Sequence, residues 1–271
     1  MILVDAHVHV YDCFDIDLLL DSALHNFQEV AKQYALGDSS LSYVLLLTEG
    51  PQESWFQGLA LKLAARQQCQ ITAQWTARAG TDENSLLVVH NYCPEHQIHI
   101  VAGHQVVTTE KIEVLALFVK QDRLSGLSLP DTVAGIQQLG GIPVLPWGVG
   151  KWLGKRGKIV EEFMLNPDHG NLFLGDNGGR PQFWPTPNHF HLAQKTGMAV
   201  LPGSDPLPLA DEASRVGSFG FFLEDNGLAA ESPPTYLKKA LLSSRLTISP
   251  FGSLQKSRLF FANQIRLRRL F

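Results

Sequence analysis

The chain has 271 residues, 45% hydrophobic and 18% charged, with a formal net charge of -4. This is enough apolar material for one large core, and the charge balance argues against a general nucleic-acid binder. Three cysteines, Cys13, Cys69 and Cys93, are too few and too scattered for a disulfide framework and form no C-x-x-C pair, so a reducing, cytoplasmic setting is expected.

The first predicted element is a strand, "ILVDAHVHV". Strand alternation sets Asp5, His7 and His9 on one face and Ile2, Val4, Ala6, Val8 and Val10 on the other. No basic n-region and apolar h-region precede it, so a cleaved secretion signal is not expected. A helix follows over 15–36, with Leu20, Leu24, Phe27, Val30, Ala31 and Tyr34 at helical spacing. "SYVLLLT" reads as a buried strand and "ESWFQGLALKLAARQ" as a helix. The middle is richer in strands: "QITAQWTA", "SLLVVHNY", "IHIVAGHQVVT" and "IEVLALFV". "LPDTVAGIQQLG" is a helix, "GIPVLPWG" a strand, "IVEEFML" a short helix and "NLFLGD" a strand. "NHFHLAQKTG" is a helix closed by Gly197, followed by the strand "MAVLPGSD". "VGSFGFFLE", "PTYLKKALLS" and a final helix complete the chain. No apolar run approaches the ~18 residues of a membrane span.

Repeated strand–helix units with short connections predict an α/β fold, a single TIM-like barrel spanning residues 1–271. An open doubly wound sheet competes, but no G-x-G-x-x-G follows the first strand.

Active sites of such barrels lie at the C-terminal strand ends. The first strand ends in His7 and His9, side-by-side imidazoles that can hold a metal, bind an anion or pair with carboxylates. Later ends supply Glu113, then Trp147, then Asp176, Asn177 and Arg180 in "GDNGGR", then Asp205 in "GSD". His7, His9, Glu113 and Asp205 together make a mixed N/O donor set suited to zinc, manganese or iron. Asp205 and Glu113 are then the catalytic carboxylates of a metal-assisted hydrolysis. Each has a plainer reading: Asp205 as a turn or cap residue, Glu113 as a strand carboxylate paired with a lysine. The 151–158 loop, with Lys151, Lys155, Arg156 and Lys158, is either an anion clamp or a solvated loop. Lys151, Asp176, Asn177, Arg180, His104 and Trp147 are the candidate substrate contacts, for a small anionic compound.

At "DAHVHV", "VAGHQVVTTEKIEVLAL", "GGIPVLPWG" and "LPGSD" the chain resembles polymerase and histidinol phosphatase (PHP) domains, and in part the amidohydrolase superfamily. The resemblance implies a distorted (β/α)7 barrel that hydrolyses phosphate esters with up to three metal ions. It carries over to His7, His9 and Asp205. Leu207, Gln105, Glu113 and Pro146 stand where the family has other ligands, which leaves one or two divalent ions, or none. The implied activities are phosphate-ester hydrolysis, hydrolysis of a lactone or cyclic amide, or a non-catalytic barrel that binds without turnover.

After Glu231 the chain has no acidic residue, only Lys238, Lys239, Arg245, Lys256, Arg258, Arg266, Arg268 and Arg269. Residues 254–271 predict a closing helix with an apolar stripe, Leu259, Ala262 and Ile265, beside a basic one. Packing on the wall of the fold is the expected use of that stripe, and binding to an anionic membrane surface is the alternative. The oligomeric state is not legible.

Overall fold

The computed structural model of the chain describes residues 1–37, 41–120, 124–224, 231–243 and 246–269. Arg245 and the last two residues of the expected closing helix lie outside them. The first elements are β1 (Ile2–Val8), α1 (Ile16–Gln33), β2 (Ser42–Leu47) and α2 (Trp55–Ala64). A run of strands follows: β3 (Gln68–Gln70), β4 (Trp75–Ala79), β5 (Ser85–His90), β6 (Gln97–Val101), β7 (Gly103–Val107) and β8 (Glu113–Leu117). Then come α3 (Leu129–Gln138), β9 (Ile142–Pro146), α4 (Lys155–Met164), β10 (Phe173–Asn177), α5 (Asn188–Thr196) and β11 (Val200–Gly203). The chain closes with β12 (Gly220–Leu223), α6 (Pro233–Leu242), β13 (Ser249–Phe251) and α7 (Ser257–Leu267).

Local chemistry sets many of the boundaries. Asp15 caps α1 by accepting from the Leu18 N–H, and α1 buries Leu19, Leu20, Ala23, Leu24, Phe27, Val30 and Ala31. Ser128 caps α3, with Pro130 in the first turn, where no N–H is needed. Gly197 ends α5 in the left-handed region at φ 74°.

The strands form two open mixed sheets, β13-β12-β1-β2-β6-β5-β4-β3 and β11-β10-β9-β8-β7. This overturns the expected single TIM-like barrel of β/α units. Parallel pairing is confined to β1–β2–β6 and β9–β10–β11, while the other ladders are antiparallel. The physical reason is the stretch from β3 to β8, where strands follow one another with no helix between them. Such short connections make antiparallel neighbours, because a parallel crossover needs a dozen residues or more.

The predicted strand "IHIVAGHQVVT" breaks at Ala102 and serves both sheets, as β6 in one and β7 in the other. Gly103 permits that switch, since a Cβ there would sit 2.2 Å from the Leu47 carbonyl oxygen. "QITAQWTA" likewise divides between β3 and β4, and the 151–158 loop supplies the first turn of α4.

Strand alternation sorts the core into layers, except that an irregularity in β1 between Asp5 and Val8 turns Val8 away from the expected face of Ile2 and Val4. Val4, Ala6, Val44 and Leu46 join Leu115, Val144, Phe173 and Leu201 between the two sheets. Leu3, Val8, Leu45 and Leu47 pack outward with α1 and α2 residues such as Phe27 and Phe56. Residues of α3, α4 and α5, including Val133, Val160 and Phe190, cover the far face of the five-stranded sheet. Large side chains buried in this way contribute about 1.5–3 kcal/mol each.

His99, on β6, gives the fold an acid sensitivity. Burial lowers its pKa from 6.5 to about 4, although Asp82 pulls the other way. Between those two values the unfolded chain takes up a proton that the native state does not, so stability rises with pH there and falls on acidification. The denaturation midpoint should be lower at pH 4.5 than at pH 7, and His99→Gln should shrink the difference. An unchanged difference in that variant would assign the effect to other groups.

Candidate metal centre

His7 does not continue the face of Asp5, contrary to simple alternation. The β1–β2 register passes from Asp5 opposite Leu45 to Val8 opposite Leu47, so Ala6 and His7 together face Leu46. This one-residue bulge swings His7 out of the outward-facing series and towards the pole where the sheets meet. At that pole Gly203 lies so close to β1 that a Cβ would fall 2.3 Å from the His7 nitrogen. The Asp205 N–H then donates to the His7 carbonyl at 2.8 Å, with Asp205 itself at φ 45°.

The outcome is a triad of two buried histidines and a partly exposed aspartate. His7 Nε2 and His9 Nε2 are 3.2 Å apart, and Asp205 Oδ1 is 3.4 Å from the first and 3.8 Å from the second. Among the described residues, these three offer ligand atoms within 4.8 Å of one another. Four-coordinate zinc, with bonds of about 2.0–2.1 Å, sets its ligand atoms about 3.3–3.4 Å apart, so the residues present fit such an ion.

The surroundings support this arrangement. His9 Nδ1 meets Glu53 Oε2 at 3.0 Å, so the proton of the neutral ring belongs on Nδ1 and Nε2 is its acceptor. The Gln105 side chain lies beside His7 and favours its protonated form. Asn177 Nδ2 donates to Asp205 Oδ2 and to the Trp147 carbonyl, each at 2.9 Å. Tyr11 stacks on His9 with ring centroids 5.2 Å apart.

Electrostatics divide the two imidazoles. Burial lowers the His7 pKa to about 4, against the pull of Asp205. Burial acts the same way on His9, but the Glu53 hydrogen bond and the charges of Glu53, Asp205 and Glu113 outweigh it and raise its pKa. Burial alone would raise the Asp205 pKa; His7, His9, Lys151 and Arg215 hold it below the usual carboxylate range. Two nitrogens this close either share one N–H between them as a hydrogen bond or hold a cation.

The other expected residues are placed differently. Glu113 stands outside the triad, with its carboxylate bonded to the Lys151 ammonium. The plainer expectation, a strand carboxylate paired with a lysine, therefore describes its contact. Asp176 and Arg180 neutralise each other through two hydrogen bonds of 2.8 and 2.7 Å. The Trp147 ring packs in the core beside Trp184. His104 forms an isolated bridge with Glu49 between the two sheets. Lys151, Asn177 and Asp205 do come together, lining a recess of about 190 Å³ with Leu207, Gln255 and Phe260. Glu53 and Tyr11 carry no recognisable motif; only the position of Glu53, just past the second strand, hinted at a site role.

Replacing Glu53 with Gln should weaken zinc binding about 10–100-fold, the usual effect of removing a partner that orients a metal-bound histidine. Zinc titration of the metal-free variant is the check, and unchanged affinity would show that Glu53 does not orient His9.

No protein-family model matches the chain, and no curated protein matches it in sequence. Among solved structures its fold is similar to that of PsfC from Pseudomonas syringae, with a TM-score of 0.54 and 17% identity. That likeness covers 99% of this chain and 98% of the other.

Proposed function

We propose that the protein is a metal-dependent hydrolase of a small substrate, with one divalent ion held by His7, His9 and Asp205. The convergence of two imidazole nitrogens and a carboxylate oxygen at ligand-to-ligand spacing is the observation that carries this reading. A divalent cation there would supply a Lewis acid that polarises a substrate oxygen and makes water more acidic. Glu53 would hold the His9 ring in place, and Asn177 would fix the second oxygen of Asp205. Glu113, whose charge reaches His9, would take a proton from water with the carboxylate that Lys151 also engages. Substrate would enter the recess beside Asp205, where Lys151 offers a point charge to an anionic group.

A phosphate ester agrees with the resemblance to PHP domains. A lactone or cyclic amide is favoured by a different observation: Arg180 is neutralised by Asp176 and Lys151 is engaged by Glu113, which weakens any anion clamp. The free thiols of Cys13, Cys69 and Cys93 support a cytoplasmic setting. Among the described residues, no helix is long and apolar enough to cross a membrane, and nucleic acid is not among the partners we infer.

The test is turnover of phosphate monoesters, lactones and cyclic amides with added manganese or zinc, beside His9→Ala. We expect hydrolysis of one class, lost in the variant. Metal binding without turnover of any class would favour a non-catalytic binding protein.

A further inference from the structure

The closing helix does not pack as its apolar stripe suggests. On α7 the buried side chains are Phe260 and Asn263, and Asn263 Nδ2 donates to the buried Glu212 carboxylate at 2.6 Å. Leu259, Phe261 and Ile265 remain 44%, 55% and 55% exposed. Phe183, 50% exposed, stacks on Phe261 with ring centroids 5.6 Å apart and planes 6° from parallel, which widens the apolar patch. Arg258, Ala262 and Ile265 recur at steps of three or four residues, so they share one exposed face of the helix, and Arg269, just past its C-terminal end, is exposed as well. Arg268 and Lys256 flank it, also exposed. Arg266 differs, being bound by both oxygens of Asp211. The chain has no acidic residue after Glu231 to neutralise the others.

We propose that this face is a docking surface for an anionic phospholipid bilayer. Side chains such as Phe261 and Ile265 would enter the headgroup–acyl boundary while the arginines remain at the phosphates. A second copy of the chain fits less well, because a two-fold contact would set these arginines against one another. A nucleic acid offers nothing to cover the apolar side chains. Phe260 and Gln264 of the same helix line the recess beside Asp205, so docking would hold that recess near the bilayer.

The test is sedimentation of the full chain with vesicles of phosphatidylcholine alone and of phosphatidylcholine mixed with phosphatidylglycerol. We expect binding to the mixed vesicles only, weakening as salt rises. Arg269→Ala should reduce it about fivefold, as expected for one basic residue near an anionic surface. The double variant Phe261→Ser, Ile265→Ser should abolish it while the chain still unfolds cooperatively, with only the small drop in melting temperature expected from losing the Phe183–Phe261 stack. Four results would overturn the proposal: no binding, equal binding to neutral vesicles, a self-association that the double variant removes without any vesicle binding, or binding to duplex DNA that the double variant leaves intact.

Discussion

His7→Ala should lower the affinity for zinc by more than about a hundredfold, beyond the usual loss of an orienting partner, and should remove any hydrolytic turnover. The triad offers three protein ligands, and two cannot hold an ion against water as three can. The substitution also removes the nitrogen 3.2 Å from His9. Zinc titration of chelator-treated protein is the measurement, with thermal melting of the metal-free form to separate lost ligation from lost folding. Affinity within a few-fold of the parent, in a folded variant, would count against the assigned role.

Asp5→Ala should be the most destabilising single change near the site, by about 3 kcal/mol or more, because it leaves buried backbone donors unsatisfied. Asp5 lies fully buried and accepts from three backbone N–H groups, those of His7 at 3.3 Å, Ser204 at 2.8 Å and Gly217 at 2.8 Å. Its carboxyl is pushed up to about 6 by burial, with those donors opposing the shift. Truncation would strand the donors in a dry interior, at about 1–3 kcal/mol for each unsatisfied group before relaxation. Because Ser204 precedes Asp205 and His7 lies two residues beyond Asp5, metal affinity should fall along with stability. Denaturant unfolding and zinc titration of the same variant test both effects. A loss below about 0.5 kcal/mol, typical of a surface change, would contradict this role.

The elements were more legible than their pairing. Periodicity and caps foretold α1, α3 and α5, because those helices each bury one stripe and end at chemically marked residues. The barrel was not there to be read. Sheet closure depends on which edges pair, and the helix-free run from β3 to β8 fixes antiparallel neighbours. The switch at Ala102–Gly103 was hidden because its two halves read as one apolar strand.

In the site, His7, His9 and Asp205 were found from strand ends, and strand ends do converge at this pole. Their convergence nevertheless depends on the β1 bulge, which alternation cannot anticipate. Glu53 was missed because an isolated carboxylate ahead of a helix looks like ordinary surface chemistry. Pairing of Glu113 with a lysine was the plainer of its two readings, but which lysine, Lys151, and the pairing of Arg180 with Asp176 become evident only in three dimensions.

The central claim is that the two imidazoles and Asp205 hold a cation. Anomalous diffraction at the zinc edge, from crystals of zinc-loaded protein, tests it most directly. The account predicts a single strong peak about 2 Å from His7 Nε2, His9 Nε2 and Asp205 Oδ1. A map with no peak among these three atoms, while zinc is bound elsewhere on the chain, would contradict it.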